Sequence, residues 1–217
     1  MSKVVVLRPE PGASATLARA RAAGIDAVAI PLFAVVPMAW DAPDPNAVDA
    51  LLLTSANAAR HGGAGLAGLK QLPTYCVGEA TAAAARKAGL NVVGTGVFDA
   101  NALLEQVPGG LRLLHLTGVN HQVIPGVTQL AVYTSQTIDP PPPLDALIGG
   151  VAMVHSARAG ERLAELVTDR SVIAIAAISK TAADACGGGW QLIEAIAAPT
   201  DGALLALASA LCQDIRQ

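Results

Sequence analysis

A chain of 217 residues with a net charge of −3 and only 14% charged residues has no basic stripe for nucleic acid and no polybasic segment for a membrane surface. Hydrophobic residues make up 53% and mean hydropathy is +0.48, yet the longest apolar runs, such as VIAIAAI at 172–178, stop far short of the roughly 20 residues a spanning helix needs. The excess is mostly alanine, a good helix former, and the length is enough to bury a substantial core.

The first element, VVVL (4–7), is short and strand-like, and Arg8 and Pro9 follow at once. This is not a secretory signal, and it predicts a cytoplasmic protein. Further strands are expected at AVAIP (27–31), ALLLTS (50–55), TYCVG (74–78), NVVG (91–94), LRLLHLTG (111–118), QLAVYT (129–134), VAMVHS (151–156), VIAIAAIS (172–179) and LIEAIA (192–197). Helix-like segments lie between them, from SATLARARAAG (14–24) to DGALLALASALCQDI (201–215). Strand–helix alternation with continuously apolar strands predicts α/β architecture with parallel sheets covered on both faces.

Sliding the chain by 101 residues lays LLLTSANAA (51–59) on AMVHSARAG (152–160), YCVGEATAAA (75–84) on AAISKTAADA (176–185), and FDANALLEQV (98–107) on PTDGALLALA (199–208). One shared offset favours two copies of one α/β unit. The strand and helix at 4–24 find their counterpart near 111–130, so one copy is split. The expected domains are 1–34 with 135–217, and an inserted 38–131, joined through crossings at about 35–37 and 132–134.

Ligands of open α/β sheets gather at the carboxyl ends of strands. Here those ends carry Arg8, Thr54-Ser55, Gly78-Glu79-Ala80-Thr81, Thr117-Gly118-Val119-Asn120, His155-Ser156 and Ser179-Lys180-Thr181. Free N–H groups at helix starts favour carboxylates or phosphates, although for any single hydroxyl an N-cap worth about 1 kcal/mol is the stronger reading, and it is the gathering of six such ends that favours a ligand. At 78–81 the expectation is a glycine that lets backbone approach a ligand and a hydroxyl that holds the helix start.

No nucleophile elbow, P-loop or HExxH motif occurs, and no GxGxxG follows the first strand. Cys76, Cys186 and Cys212 are widely spaced and read as small buried side chains, so neither a zinc site nor a disulfide is expected. Among the four histidines, His61 reads as a surface residue, and His115 and His155 as packed or hydrogen-bonded. Tyr133 stands out where aromatics are only 3%; it reads either as a proton donor to a leaving hydroxyl or as a packing residue at the second crossing.

Taken in order, VVVLRPEPGASATLARARAAG, LLLTSANAA, YCVGEATAAAARKAG, LTGVN, AVYTSQT, AAISKTAADA and PTDGALLALASAL resemble the uroporphyrinogen-III synthase family over nearly the whole chain. The resemblance implies two flavodoxin-like doubly wound domains, one inserted in the other, joined by a two-stranded linker with the active site between them. It implies a monomer that closes hydroxymethylbilane, a linear tetrapyrrole with eight carboxylates, to uroporphyrinogen III, without metal or organic cofactor. The terminal hydroxyl leaves as water, giving an azafulvene, and a spiro intermediate inverts the last ring. Tyr133 would then assist hydroxyl departure. Thr54, Ser55, Gly78, Thr81, Thr117, Gly118, Asn120, Ser156, Ser179 and Thr181 would hold carboxylates, with Arg8, Arg158 and Lys180 as charged candidates. Ala182 stands where the family commonly has threonine, and His155 where Thr or an aromatic is more usual. Two other readings fit the same domain plan: a non-catalytic binding protein for a small anion, and a flavodoxin-like pair that binds flavin or receives phosphate.

Overall fold

The computed structural model describes residues 3–96 and 100–215; Phe98 and Asp99, part of the third repeat match, lie outside them. By its contacts the chain divides into two units, Met1–Ala34 with Thr137–Gln217, and Val35–Gln136. The chain crosses from one to the other inside strands Phe33–Pro37 (β3) and Thr128–Thr137 (β8).

The first unit is built on a five-stranded sheet. Its strands are Val4–Val6 (β1), Ala27–Ala29 (β2), Val151–Val154 (β9), Ala174–Ala177 (β10) and Leu192–Ala195 (β11), in the order β11-β10-β9-β1-β2. All pairs are parallel. The central strands are apolar at every position because both faces are covered. Val5, Ala152, Val154, Ile175 and Ala177 point to one core, which helices Ala157–Leu166 (α5) and Lys180–Ala185 (α6) close with Ala159, Leu163 and Ala182. The alternate residues Val4, Val6, Val151, Met153, Ala174 and Ala176 point to the other, closed by Gly12–Ala22 (α1) and Asp201–Asp214 (α7) through Ala13, Ala20, Leu204, Ala208 and Leu211.

The second unit holds a six-stranded sheet. Besides β3 and β8 it contains Ala50–Leu53 (β4), Pro73–Val77 (β5), Asn91–Gly96 (β6) and Leu113–Gly118 (β7), in the order β3-β8-β7-β4-β5-β6. The pairs from β8 to β6 are parallel. One face is thickly covered: Leu51, Leu53, Cys76, Leu114, Leu116 and Val132 pack under Ala56–His61 (α2) and Glu79–Lys87 (α3). The other is thin. Leu52 meets Leu103 of the short helix Ala100–Leu104 (α4) and Ile124, and no helix as long as α1 lies there among the described residues. Each fully buried leucine of β4 still contributes about 2 kcal/mol. The uneven cover leaves room beside the sheet on the thin side.

The three cysteines are buried and none is in a disulfide; burial pushes Cys76 and Cys186 up to about 11. No described helix is long and apolar enough to cross a membrane.

Candidate functional site

On the thin face of the second unit, Leu52 is followed two residues on by Thr54, and His115 by Thr117, because alternate strand residues share a face. Thr54, His115 and Thr117, together with Tyr133, Asn101, Asn120, His121 and Gln122, line a cavity of about 440 Å³ that Val77 and Ile124 also border. Thus the structure brings Thr54, Thr117, Asn120 and Tyr133, all singled out from the sequence, to one place. Tyr133 reaches it through an irregularity: the register of β7 on β8 shifts between Thr117 and Gly118, which pairs Gly118 with Tyr133. Gly118 is required there, since a Cβ on it would stand 2.7 Å from the Tyr133 ring.

Hydrogen bonds fix the cavity wall. His115, 2% exposed, lies 2.9 Å from Thr54 Oγ1 through Nε2 and 2.9 Å from Gln129 Nε2 through Nδ1. Burial, and then the neighbouring His121, pull its pKa down to about 4. His121 Nδ1 lies 2.8 Å from the Gly118 carbonyl, so that nitrogen carries the proton. His61, expected at the surface, is instead half-buried, its ring centroid 6.2 Å from that of Tyr133. Burial, followed by the charge of Arg60, lowers its pKa.

The remaining expected residues of this unit sit at helix starts. Ser55 caps α2 by accepting from the Asn57 N–H at 3.2 Å. The join at 78–81 departs from expectation. Gly78 heads α3 at φ +80°, ψ 147°, a conformation reserved for glycine, and no side chain caps the helix. Thr81 does not hold the helix start; it is buried with Ala82 and Ala85 on the inner face of α3.

In the first unit the carboxyl ends of β1 and β9 carry a charged cluster. Asp201 Oδ1 accepts from Arg8 Nη1 at 3.1 Å, Thr16 Oγ1 at 2.8 Å and His155 Nε2 at 2.8 Å, and Oδ2 accepts from Arg19. Burial pushes the Asp201 carboxyl up, but the bonds from His155 and Thr16 and the charges of His155 and Arg8 outweigh it and hold the group below its ordinary value. Burial also lowers His155, against the opposing bond to Asp201. Arg8 is therefore already engaged by an internal carboxylate. Arg158 lies over the Phe33 ring at 4.4 Å, and Lys180 pairs with Asp184 at 2.9 Å while 85% exposed. Ser156 and Ser179 cap α5 and α6 at 3.2 Å, and Thr181 is exposed.

Sequence reasoning passed over Asp201, Gln129, Asn101 and Gln122. Asp201 had one local signal, its place after the cap Thr200 in the first turn of α7.

Parallel sheets whose polar side chains gather beyond the strands' carboxyl ends define an α/β protein of the open-sheet, ligand-binding class. The model of the family described as uroporphyrinogen-III synthase HemD matches residues 14–206, nearly the whole chain, and the chain belongs to the uroporphyrinogen-III synthase family. Among solved structures, uroporphyrinogen-III synthetase from Helicobacter pylori 26695 aligns at 16% identity and TM-score 0.66, covering 97% of this chain and 100% of its own. At that identity the likeness is one of fold. Uroporphyrinogen III synthase from the extremely thermophilic bacterium Thermus thermophilus aligns at 19% identity and TM-score 0.41 over 100% of both chains. No curated protein matches by sequence.

Proposed function

We propose that this chain closes hydroxymethylbilane to uroporphyrinogen III, with loss of water and inversion of the last ring. The observation that carries the reading is the cavity at the ends of β4, β7 and β8, where Tyr133 shares one space with Thr54, Thr117 and Asn120. Tyr133 gives its phenolic proton to the departing hydroxyl, which leaves as water. The resulting azafulvene, still protonated at nitrogen, is attacked by the substituted carbon of the far pyrrole, the spiro intermediate breaks, and the ring recloses the other way round. Since the same cation closes unaided to the uninverted isomer, the protein's contribution is to hold one conformer and to stabilise the developing charge.

The substrate's carboxylates are held by hydroxyls and helix-start N–H groups. The anchors in this reading are Thr54, Ser55, Gly78, Thr117, Gly118 and Asn120 in one unit, and Ser156, Ser179 and Thr181 in the other; Thr81, expected among them, is buried on the inner face of α3 and drops out. Arg8, Arg158 and Lys180 supply charge. Where Ser55, Ser156 and Ser179 already cap their helices, the backbone N–H groups carry the contact. The two units are read as copies of one flavodoxin-like unit. Counted from β1, the first sheet runs 2-1-3-4-5; counted from β7, strands β8-β7-β4-β5-β6 run the same way. That permutation agrees with the 101-residue repeat.

Single-turnover kinetics of Tyr133→Phe test the proton donor: turnover falls roughly 10-fold or more, the scale of a lost general acid. An unchanged rate removes Tyr133 from that role.

A further inference from the structure

The direction of every proton in the wall behind Thr54 follows from two backbone groups. Gln129 Oε1 lies 3.0 Å from the Ile124 N–H, which can only donate. Gln129 Nε2 lies 3.0 Å from the Gln122 carbonyl, which can only accept. Turning the amide over would set donor against donor and acceptor against acceptor, so its orientation is fixed. Its second N–H then points at His115 Nδ1, 2.9 Å away. That nitrogen must be bare, and the imidazole proton sits on Nε2. Nε2–H in turn donates to Thr54 Oγ1 at 2.9 Å. A hydroxyl has one proton. With His115 donating to its oxygen, Thr54 cannot direct its own O–H back at the ring. Among the described residues Thr54 has no other hydrogen-bond partner, and it lines the cavity.

We propose that Gln129 and His115 are positioning residues, a one-way relay that commits the Thr54 hydroxyl to donating into the cavity, where it binds a carboxylate oxygen of the substrate. The proposal rests on the assignment of this cavity to hydroxymethylbilane. The relay biases the site by chemistry: with one lone pair taken by His115 and its only proton free for the cavity, the hydroxyl donates to a carboxylate oxygen there. Burial of His115 keeps the ring neutral across the working pH range, so the relay does not reverse by protonation.

Long-range proton–nitrogen correlation spectra of histidine-labelled protein read the relay directly. At neutral pH the His115 signals show a bare Nδ1 and a protonated Nε2; the opposite tautomer overturns the proposal. Kinetics read its use. Thr54→Val raises KM for hydroxymethylbilane about tenfold or more, the size of a hydrogen bond to a charged group, and Thr54→Ser restores it. Gln129→Leu leaves the hydroxyl in place, yet mixes the two tautomers in the spectrum and raises KM in the same direction. An unmoved KM in Thr54→Val, with the wild type still making uroporphyrinogen III, overturns the proposal alone. A wild type that makes none overturns the proposed function, and the spectrum still decides the direction of the relay.

Discussion

Acid should weaken the second unit through His115, by an amount that can be worked out. The ring is 2% exposed and its pKa in the fold is about 4, against an ordinary 6.5. A histidine depressed in this way lends stability that is fully present above the unfolded value and is lost as pH falls, because the unfolded chain takes up a proton the folded chain refuses. One such proton costs about 1.4 kcal/mol per pH unit, so the loss is about 2 kcal/mol on going from pH 7 to about 5 and on the order of 3 kcal/mol by about pH 4. The two tryptophans, Trp40 and Trp190, lie in different units. In a Trp190→Phe background, the fluorescence of Trp40, whose indole N–H bonds the Gly62 carbonyl at 2.9 Å, reports urea unfolding of the second unit. His155 and Asp201 titrate in both proteins and cancel on comparison with Trp190→Phe/His115→Gln. The histidine-bearing protein loses about 2 kcal/mol more than the variant between the two pH values. Parallel losses would refute a neutral buried ring at 115.

Three substitutions probe the rest of the account. Asp201→Asn removes the charge shared by Arg8, Arg19 and His155 and lowers the stability of the first unit by about 2 kcal/mol, read from Trp190 fluorescence in urea; an unchanged midpoint would make the cluster ornamental. Gly118→Ala drives a methyl to 2.7 Å from the Tyr133 ring, so turnover falls along with a change in the Tyr133 ring signals in NMR, and an undisturbed ring would contradict the packing. Gly78→Ala meets nothing within 4 Å but forces alanine to φ +80°, a cost of about 1–3 kcal/mol in backbone strain, measured as a shift in the Trp40 unfolding midpoint.

Much of the fold was legible because doubly covered strands cannot hide their pattern. Leu51, Leu52 and Leu53 are all buried, and so are Val151, Ala152 and Met153. The serines at 55, 156 and 179 were legible as caps because capping is local. The join at 78–81 misled for a related reason: a glycine and a threonine near a helix start look alike whether the hydroxyl caps or packs, and only tertiary burial puts Thr81 inside. His61 was misplaced because its local sequence, AARHGG, says nothing of Tyr133, brought alongside by β8. The long-range partnerships were not legible at all. Arg8 and Asp201 are separated by 193 positions, and the contact of Gln129 with His115 depends on the pairing of β7 with β8.

The central claim is that this chain dictates how the two ends of a linear tetrapyrrole meet. Incubation with hydroxymethylbilane, followed by chromatographic separation of the oxidised products by isomer, tests it most directly. The account predicts uroporphyrinogen III as the main product in the presence of the protein. Formation of only the uninverted isomer, at the rate seen without protein, would contradict it.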